Sequence, residues 1–239
     1  MAALLNFFHA FGQYTFLQNA LLAGVIIGLV SGVIGAFSIL QGTALIGDAM
    51  SHAVLPGIAI AALLGIPYYW GAGVFGLLAA LIINFIAEHT PLKTDAAIGL
   101  TFSSFFALGT IIMTAGHSTT KLTDILFGNI LAVSGGDLIS SLVIGLIVIL
   151  VVAIFYRELY LTTFDRSYAQ AQGIRANLFR NLLVVMITLV IIVALRAVGV
   201  ILVTALLITP AASARLLVKR FQPMIWLSAA FGVLSAFVG

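Results

Sequence analysis

Eight apolar runs, each close to the length that crosses a lipid bilayer, constrain this chain more than any other feature. They fall at roughly 17–39, 43–65, 70–87, 96–115, 138–156, 180–196, 199–215 and 223–239. A helix needs about 20 apolar residues to cross a hydrocarbon core about 30 Å thick. Within that core every backbone polar group must find a partner in the protein, so only helices and closed barrels can cross it. Barrel strands are segments of about ten residues with alternating polarity, a pattern these runs lack. Only 7% of the 239 residues are charged and 63% are hydrophobic, against roughly 25% charged in a soluble domain. The chain therefore reads as an all-α integral membrane protein of about eight transmembrane helices, forming a single domain over 1–239.

The basic residues set its orientation. Lys93, Arg157, Arg166, Arg175, Arg180, Arg215, Lys219 and Arg220 fall on one side of the predicted spans, and only Lys121 and Arg196 on the other. The richer side is cytoplasmic by the positive-inside rule, which puts the N-terminus outside. No Lys or Arg occurs before Lys93, so the basic region of a cleavable signal peptide is missing. The net charge of +3 does not point to nucleic acid. With no cysteine, disulfides and thiolate metal sites are excluded.

Against this background the stretch Gly47-Asp48-Ala49-Met50-Ser51-His52-Ala53-Val54-Leu55-Pro56-Gly57 stands apart. An ionisable residue in a membrane span is costly and marks a functional site by default. Asp48 and His52 are four residues apart, so a helix puts both on one face, where a carboxylate and an imidazole can grip one cation. A helix starting near Thr43 puts His52 roughly 13 Å in, at about 1.5 Å per residue. Pro56 and Gly57 predict a break just beyond it, and broken membrane helices commonly line substrate sites. The plain alternative is a structural pair whose carboxylate holds a core-packing imidazole.

Other segments carry weaker signals. Gly24, Gly28 and Gly32, followed by Ala36, form a small-residue ridge that predicts close helix packing. Glu88 and His89 read as a solvated cytoplasmic corner. The outer stretch 116–137 has apolar spacings of three and four, which predict a surface amphipathic helix. His117, Asp124 and Asp137 on it are either solvated loop residues or first receivers of a cation. Asp165 can cap a short cytoplasmic helix over Arg166–Gln172 that Gly173 ends, a suitable lever for a soluble partner. In span seven, Pro210 predicts a second break, with Thr204 and Thr209 able to meet freed backbone groups. Thr43-Ala44-Leu45 and Thr204-Ala205-Leu206 hint at an internal repeat. Arg196 and Arg215 at span ends read as snorkelling residues, and Tyr68, Tyr69, Trp70 and Trp226 as interfacial aromatics.

Taken together, Gly47–Gly57, Phe164-Asp165 through Ala171-Gln172-Gly173-Ile174, Thr204–Ala212 and Leu126-Phe127-Gly128-Asn129-Ile130-Leu131 resemble the permease subunits of ATP-driven manganese, zinc and iron importers. The likeness runs over essentially the whole chain. It implies a permease of the metal-chelate and vitamin-importer type in a bacterial cytoplasmic membrane. It also implies three partners: a second permease copy, a cytoplasmic ATPase dimer and an extracellular metal-binding protein. The resemblance assigns Asp48 and His52 to the metal, Ser51, Pro56, Gly57, Thr204, Thr209 and Pro210 to the pathway, and Phe164, Asp165, Tyr168, Ala171 and Gly173 to ATPase coupling over about 163–174. Ser51-His52 followed by Leu55-Pro56-Gly57 looks more like the manganese branch than the zinc branch. Gln41 departs from the basic residue often found there, and family members are usually longer than 239 residues.

No Gly-Lys dipeptide occurs, so the chain lacks a phosphate-binding P-loop and is not expected to be an enzyme. ATP hydrolysis falls to a separate subunit, and no permanently bound cofactor is expected. Asp48 and His52 from two copies would offer two oxygens and two nitrogens, a set acceptable to manganese, zinc or iron, while the lack of sulfur argues against copper(I). The competing class is an ATP-independent, proton-coupled metal carrier using the same pair as a proton relay. An intramembrane enzyme finds no His-Glu-x-x-His motif.

Overall fold

A computed structural model describes residues 14–43, 45–116, 127, 128, 130 and 133–238, with the side chain of Arg196 excepted. Ten helices are described: α1 (Thr15–Leu40), α2 (Leu45–Ala53), α3 (Leu55–Leu64), α4 (Tyr68–His89), α5 (Thr94–Ala115), α6 (Gly135–Ile154), α7 (Tyr156–Phe164), α8 (Arg166–Ala171), α9 (Ala176–Leu217) and α10 (Phe221–Val238). They provide eight membrane-length spans, α2 with α3 making one and α9 making two. Every predicted span is present, its ends shifted by a few residues.

Glycine decides which helices lie closest. A Cβ on Gly28 would come 2.3 Å from the carbonyl oxygen of Gly232 in α10, and one on Gly32 would come 2.6 Å from that of Ser228. The predicted ridge on α1 is thus the seam against α10. Ser228 adds a hydrogen bond across it, its Oγ donating to the Gly32 carbonyl at 2.7 Å. The same helix meets α9 at Gly35, where a Cβ would lie 2.0 Å from the Leu207 carbonyl oxygen. Backbones brought this close gain dispersion contacts that lipid cannot supply. The second span is the most enclosed, with 72% of its window buried, against 28% for the spans of α4, α5, α6 and α10.

The connection from α1 to α2 is a reciprocal polar turn. Ser38 Oγ donates to the Thr43 carbonyl, and Thr43 Oγ1 donates back to the Ser38 carbonyl. Thr43 therefore precedes its helix, whereas Thr204 sits inside α9, so the two Thr-Ala-Leu segments do not occupy corresponding positions.

In α9 the break is not where proline predicts it. Helical geometry runs through Pro210, and the one non-helical residue is Gly199, at φ 74° and ψ 169°. Pro210 removes a single backbone donor, which a packed membrane helix tolerates; the Gly199 conformation is one that only glycine adopts readily. Gly128, itself at φ 65°, packs onto this turn: a Cβ there would stand 2.3 Å from the Gly199 nitrogen. Most of the stretch predicted as an outer amphipathic helix, including His117 and Asp124, lies outside the described residues.

Where α1 ends and α7 and α10 begin, Phe37, Tyr156, Tyr160, Phe164 and Phe221 form a ring cluster, with Phe37 and Phe221 edge-to-face at 4.8 Å. It joins α7 to α1 and α10. The predicted short helix follows as α8. The Asp165 side chain caps it by accepting from the Tyr168 N–H at 2.8 Å, and Gly173 leaves it at φ 79°.

Candidate cation site

The second span divides at Val54, between α2 and α3. Pro56 lies in the first turn of α3, a position proline favours. Having no N–H, it gives nothing to the carbonyl four residues back, which is that of His52. The predicted break is thus a single lost hydrogen bond beside the imidazole, because Val54 keeps helical geometry at φ −78° and ψ −14°. Because α2 starts at Leu45 rather than Thr43, His52 lies about 10 Å from the N-terminal end of the span at about 1.5 Å per residue, somewhat shallower than expected.

Asp48 and His52 do share a face. Nε2 of His52 stands 3.6 Å from Oδ1 of Asp48, too far for a hydrogen bond. Two ligands each about 2.1 Å from a metal ion, and about 120° apart, are separated by about that same distance. The Asp48 side chain is 48% exposed and that of His52 16%, so the acid is reachable from outside the protomer while the imidazole is mostly walled in. Its walls include Phe102 and Phe106 of α5, each at about a right angle to the imidazole plane and with ring centroids at 5.1 and 5.2 Å. Sequence reasoning missed this pair. Its only trace is the four-residue spacing that puts both rings on one face of α5. Among the described residues no group of three or more His, Cys, Asp or Glu could hold a metal, so the described part of one protomer offers this pair and no third ligand of those types.

The remaining pathway residues divide by burial. Ser51 is buried and donates to the Gly47 carbonyl at 2.8 Å. Pro56, Gly57 and Pro210 are also buried. Gly57 serves a helix crossing: a Cβ on it would lie 2.0 Å from the Gly71 carbonyl oxygen of α4. Thr209 is exposed and Thr204 half-buried, the latter donating to the Ile201 carbonyl at 2.8 Å. Thr204 thus serves a carbonyl one turn back, not the Leu206 carbonyl that Pro210 leaves without its helical donor.

Three other sequence readings change. Asp137 is not a solvated loop residue: it is buried in the first turn of α6, closes a capping box with Ser134 and accepts from the Tyr69 hydroxyl at 2.6 Å. Tyr69 is accordingly a tie between α4 and α6, whereas Trp70 and Trp226 are widely exposed, as interfacial rings should be. Glu88 is not merely solvated: it meets Arg180 at 3.3 Å, and Arg180 also donates to Asn84. Asn84 and Arg180 border a small, mostly apolar crevice with Gln41, Thr43, Thr94 and Asn181 that also touches Ile46, two residues before Asp48. On α8 and its flanks, Phe164, Asp165, Tyr168, Ala171 and Gly173 are all exposed, beside an open cleft of about 550 Å³ bordered by Gln170, Arg175 and Asn181.

Known proteins share this architecture. The manganese import system permease protein ScaB of Streptococcus gordonii is 48% identical over 238 residues, covering 98% of this chain and 86% of the relative. Among solved structures, PsaBC from Streptococcus pneumoniae in complex with Fab superposes with a TM-score of 0.86 at 45% identity, over 97% of this chain and 84% of that one. An inward-facing metal-chelate type ABC transporter shares the fold, with a TM-score of 0.74 at 16% identity over 93% of this chain and 75% of the other. The relatives give no support to a proton-driven carrier. The model of the ABC 3 transport family matches residues 13–239. Eight membrane-length helices and this kinship make the protein a multi-pass permease of a bacterial plasma membrane, and the chain belongs to the ABC 3 transport family.

Proposed function

We propose that this chain is the membrane-spanning subunit of an ATP-driven importer, that its cargo is Mn²⁺, and that Asp48 and His52 form its cation site. The observation that carries this reading is the 3.6 Å gap between a carboxylate oxygen and an imidazole nitrogen on the most enclosed span. A hard oxygen and a borderline nitrogen suit manganese, with Zn²⁺ and Fe²⁺ as the next candidates. The kinship with manganese permeases favours the first.

Two ligands are too few to replace a hydration shell. The half-exposed Asp48 points to a second copy supplying the same pair across an interface, so that four protein ligands and water complete the sphere. ATP hydrolysis belongs to a cytoplasmic ATPase dimer. The exposed surface of Phe164, Asp165, Tyr168, Ala171 and Gly173, with the capped α8 at its centre, is the contact through which that dimer rocks the spans. An extracellular metal-binding protein delivers the cation from the outer side.

The test is ATP-dependent uptake of Mn²⁺ and Zn²⁺ into vesicles holding the reconstituted complex, wild type beside Asp48→Ala and His52→Ala. Both variants should assemble with the ATPase and lose uptake. Uptake persisting in both would make the pair structural and remove the site.

A further inference from the structure

The two ring nitrogens of His52 have different surroundings. Nε2 faces Asp48. Nδ1 is buried and has no hydrogen-bond partner among the described residues. A metal-bound imidazole almost always gives its second N–H to a carboxylate, a backbone carbonyl or water. Here the rings packed on the imidazole are Phe102, at 69° to it, and Phe106, at 89°. The two phenyl rings are nearly parallel to each other, 20° apart in plane with centroids 6.0 Å apart. They therefore present one aromatic wall, and a right-angled pairing sets the edge of one ring against the face of another.

A neutral imidazole carries a single N–H. If Nε2 is to ligate a cation beside Asp48, that proton must sit on Nδ1, where no oxygen receives it. An aromatic face accepts an N–H weakly, whereas it repels a nitrogen lone pair. We infer that Phe102 and Phe106 are positioning residues for the cation site: they clamp the His52 ring and hold it as the Nδ1–H tautomer, leaving the Nε2 lone pair for the cation. This rests on the reading of Asp48 and His52 as that site.

The arrangement has a consequence for transport. A carboxylate on Nδ1 would strengthen Nε2 as a donor; an aromatic wall does not. The imidazole is held in place without being made a strong ligand, which lets a carrier bind its cation and still release it. The wall also blocks the ring flip that would exchange Nδ1 for Nε2.

This chain has four histidines, so the complete transporter is assembled in lipid nanodiscs with only this chain ¹⁵N-histidine labelled, which gives a sparse nitrogen spectrum. His52 is identified by the signals that vanish in His52→Asn. In the wild type its protonated nitrogen should be Nδ1, and Zn²⁺, a diamagnetic stand-in for the cargo, should shift Nε2 alone. The double variant Phe102→Leu/Phe106→Leu keeps an apolar wall but removes the rings. It should show mixed tautomers and a half-saturating Mn²⁺ concentration raised about tenfold, with the maximal uptake rate little changed. An Nε2–H tautomer in the wild type overturns the proposal. So does a leucine variant with unaltered tautomer and half-saturation, which would make the two rings packing alone. Zn²⁺ moving neither His52 nitrogen in the wild type sinks the cation-site reading itself, and the clamp with it; the first two outcomes leave that reading intact.

Discussion

Gly57 and Gly71 cross so closely that a Cβ on either would stand 2.0 Å from the carbonyl oxygen of the other. This reciprocal contact locks α3 onto α4 immediately beyond the hydrogen bond that Pro56 denies the His52 carbonyl. Gly57→Val should therefore destabilise the protein by about 3 kcal/mol, the upper part of the usual range for overpacking. Gly71→Val should cost a similar amount. Because both act at one crossing, the double variant should cost clearly less than the sum. Thermal unfolding in detergent measures all three, and additive losses would show that the two glycines do not share a contact.

Tyr69→Phe removes the hydroxyl that donates to the buried Asp137. A hydrogen bond to a charged group contributes about 1.5–3 kcal/mol, so the loss should be readily measured in the same unfolding assay. Ser228→Ala, which removes a neutral hydrogen bond between two membrane helices, should cost only about 0.6 kcal/mol. The ranking matters more than either value, and an equal loss in both variants would contradict it.

Asp165→Ala removes the side-chain cap of α8, worth about 1 kcal/mol. The effect is local, because α8 is short and lies outside the membrane spans. The global unfolding midpoint should stay, while ATP hydrolysis stimulated by metal-loaded donor protein falls. Asp165→Ser should restore much of it, since serine caps as well as aspartate. A variant with full stimulation would remove the cap from the coupling mechanism.

Gly128 and Gly173 both have positive φ, yet they differ in room. A Cβ at Gly173 would meet nothing within 4 Å, while one at Gly128 would collide with the backbone of Val198 and Gly199. Gly173→Ala should cost about 1 kcal/mol, the strain of the left-handed backbone. Gly128→Ala should cost that plus a further 1–3 kcal/mol for the collision. Comparing their unfolding midpoints isolates the second contribution.

Span positions were legible in the sequence because length and hydropathy alone determine them, and the Asp48–His52 face followed from helical periodicity. The α1 ridge was legible for a similar reason: glycine at every fourth position leaves a groove that some helix must fill. Which helix fills it was not, since α10 comes from the far end of the chain. Pro210 misled because a proline removes one hydrogen bond but does not decide whether neighbouring helices compensate. Gly199 went unread because nothing local separates a glycine that turns from one that packs. Asp137 was misread because its capping partners are local but Tyr69 lies 68 positions away. Phe102 and Phe106 looked like two more apolar residues, and only their orientation on an imidazole gives them a role.

The glycine-on-glycine contact between Gly128 and Gly199 also has a mechanical meaning. Between Gly128 and Gly199 there is no side chain to bend, so the two backbones move without play. From Gly199 the rest of α9 runs as continuous helix to Leu207. The Leu207 carbonyl abuts Gly35, and its side chain reaches within 3.0 Å of where a Cβ on Gly47 would stand. Asp48 is the next residue. A push at Gly128 therefore has a stiff drive shaft, with glycine at both bearings, that ends one residue from the acid.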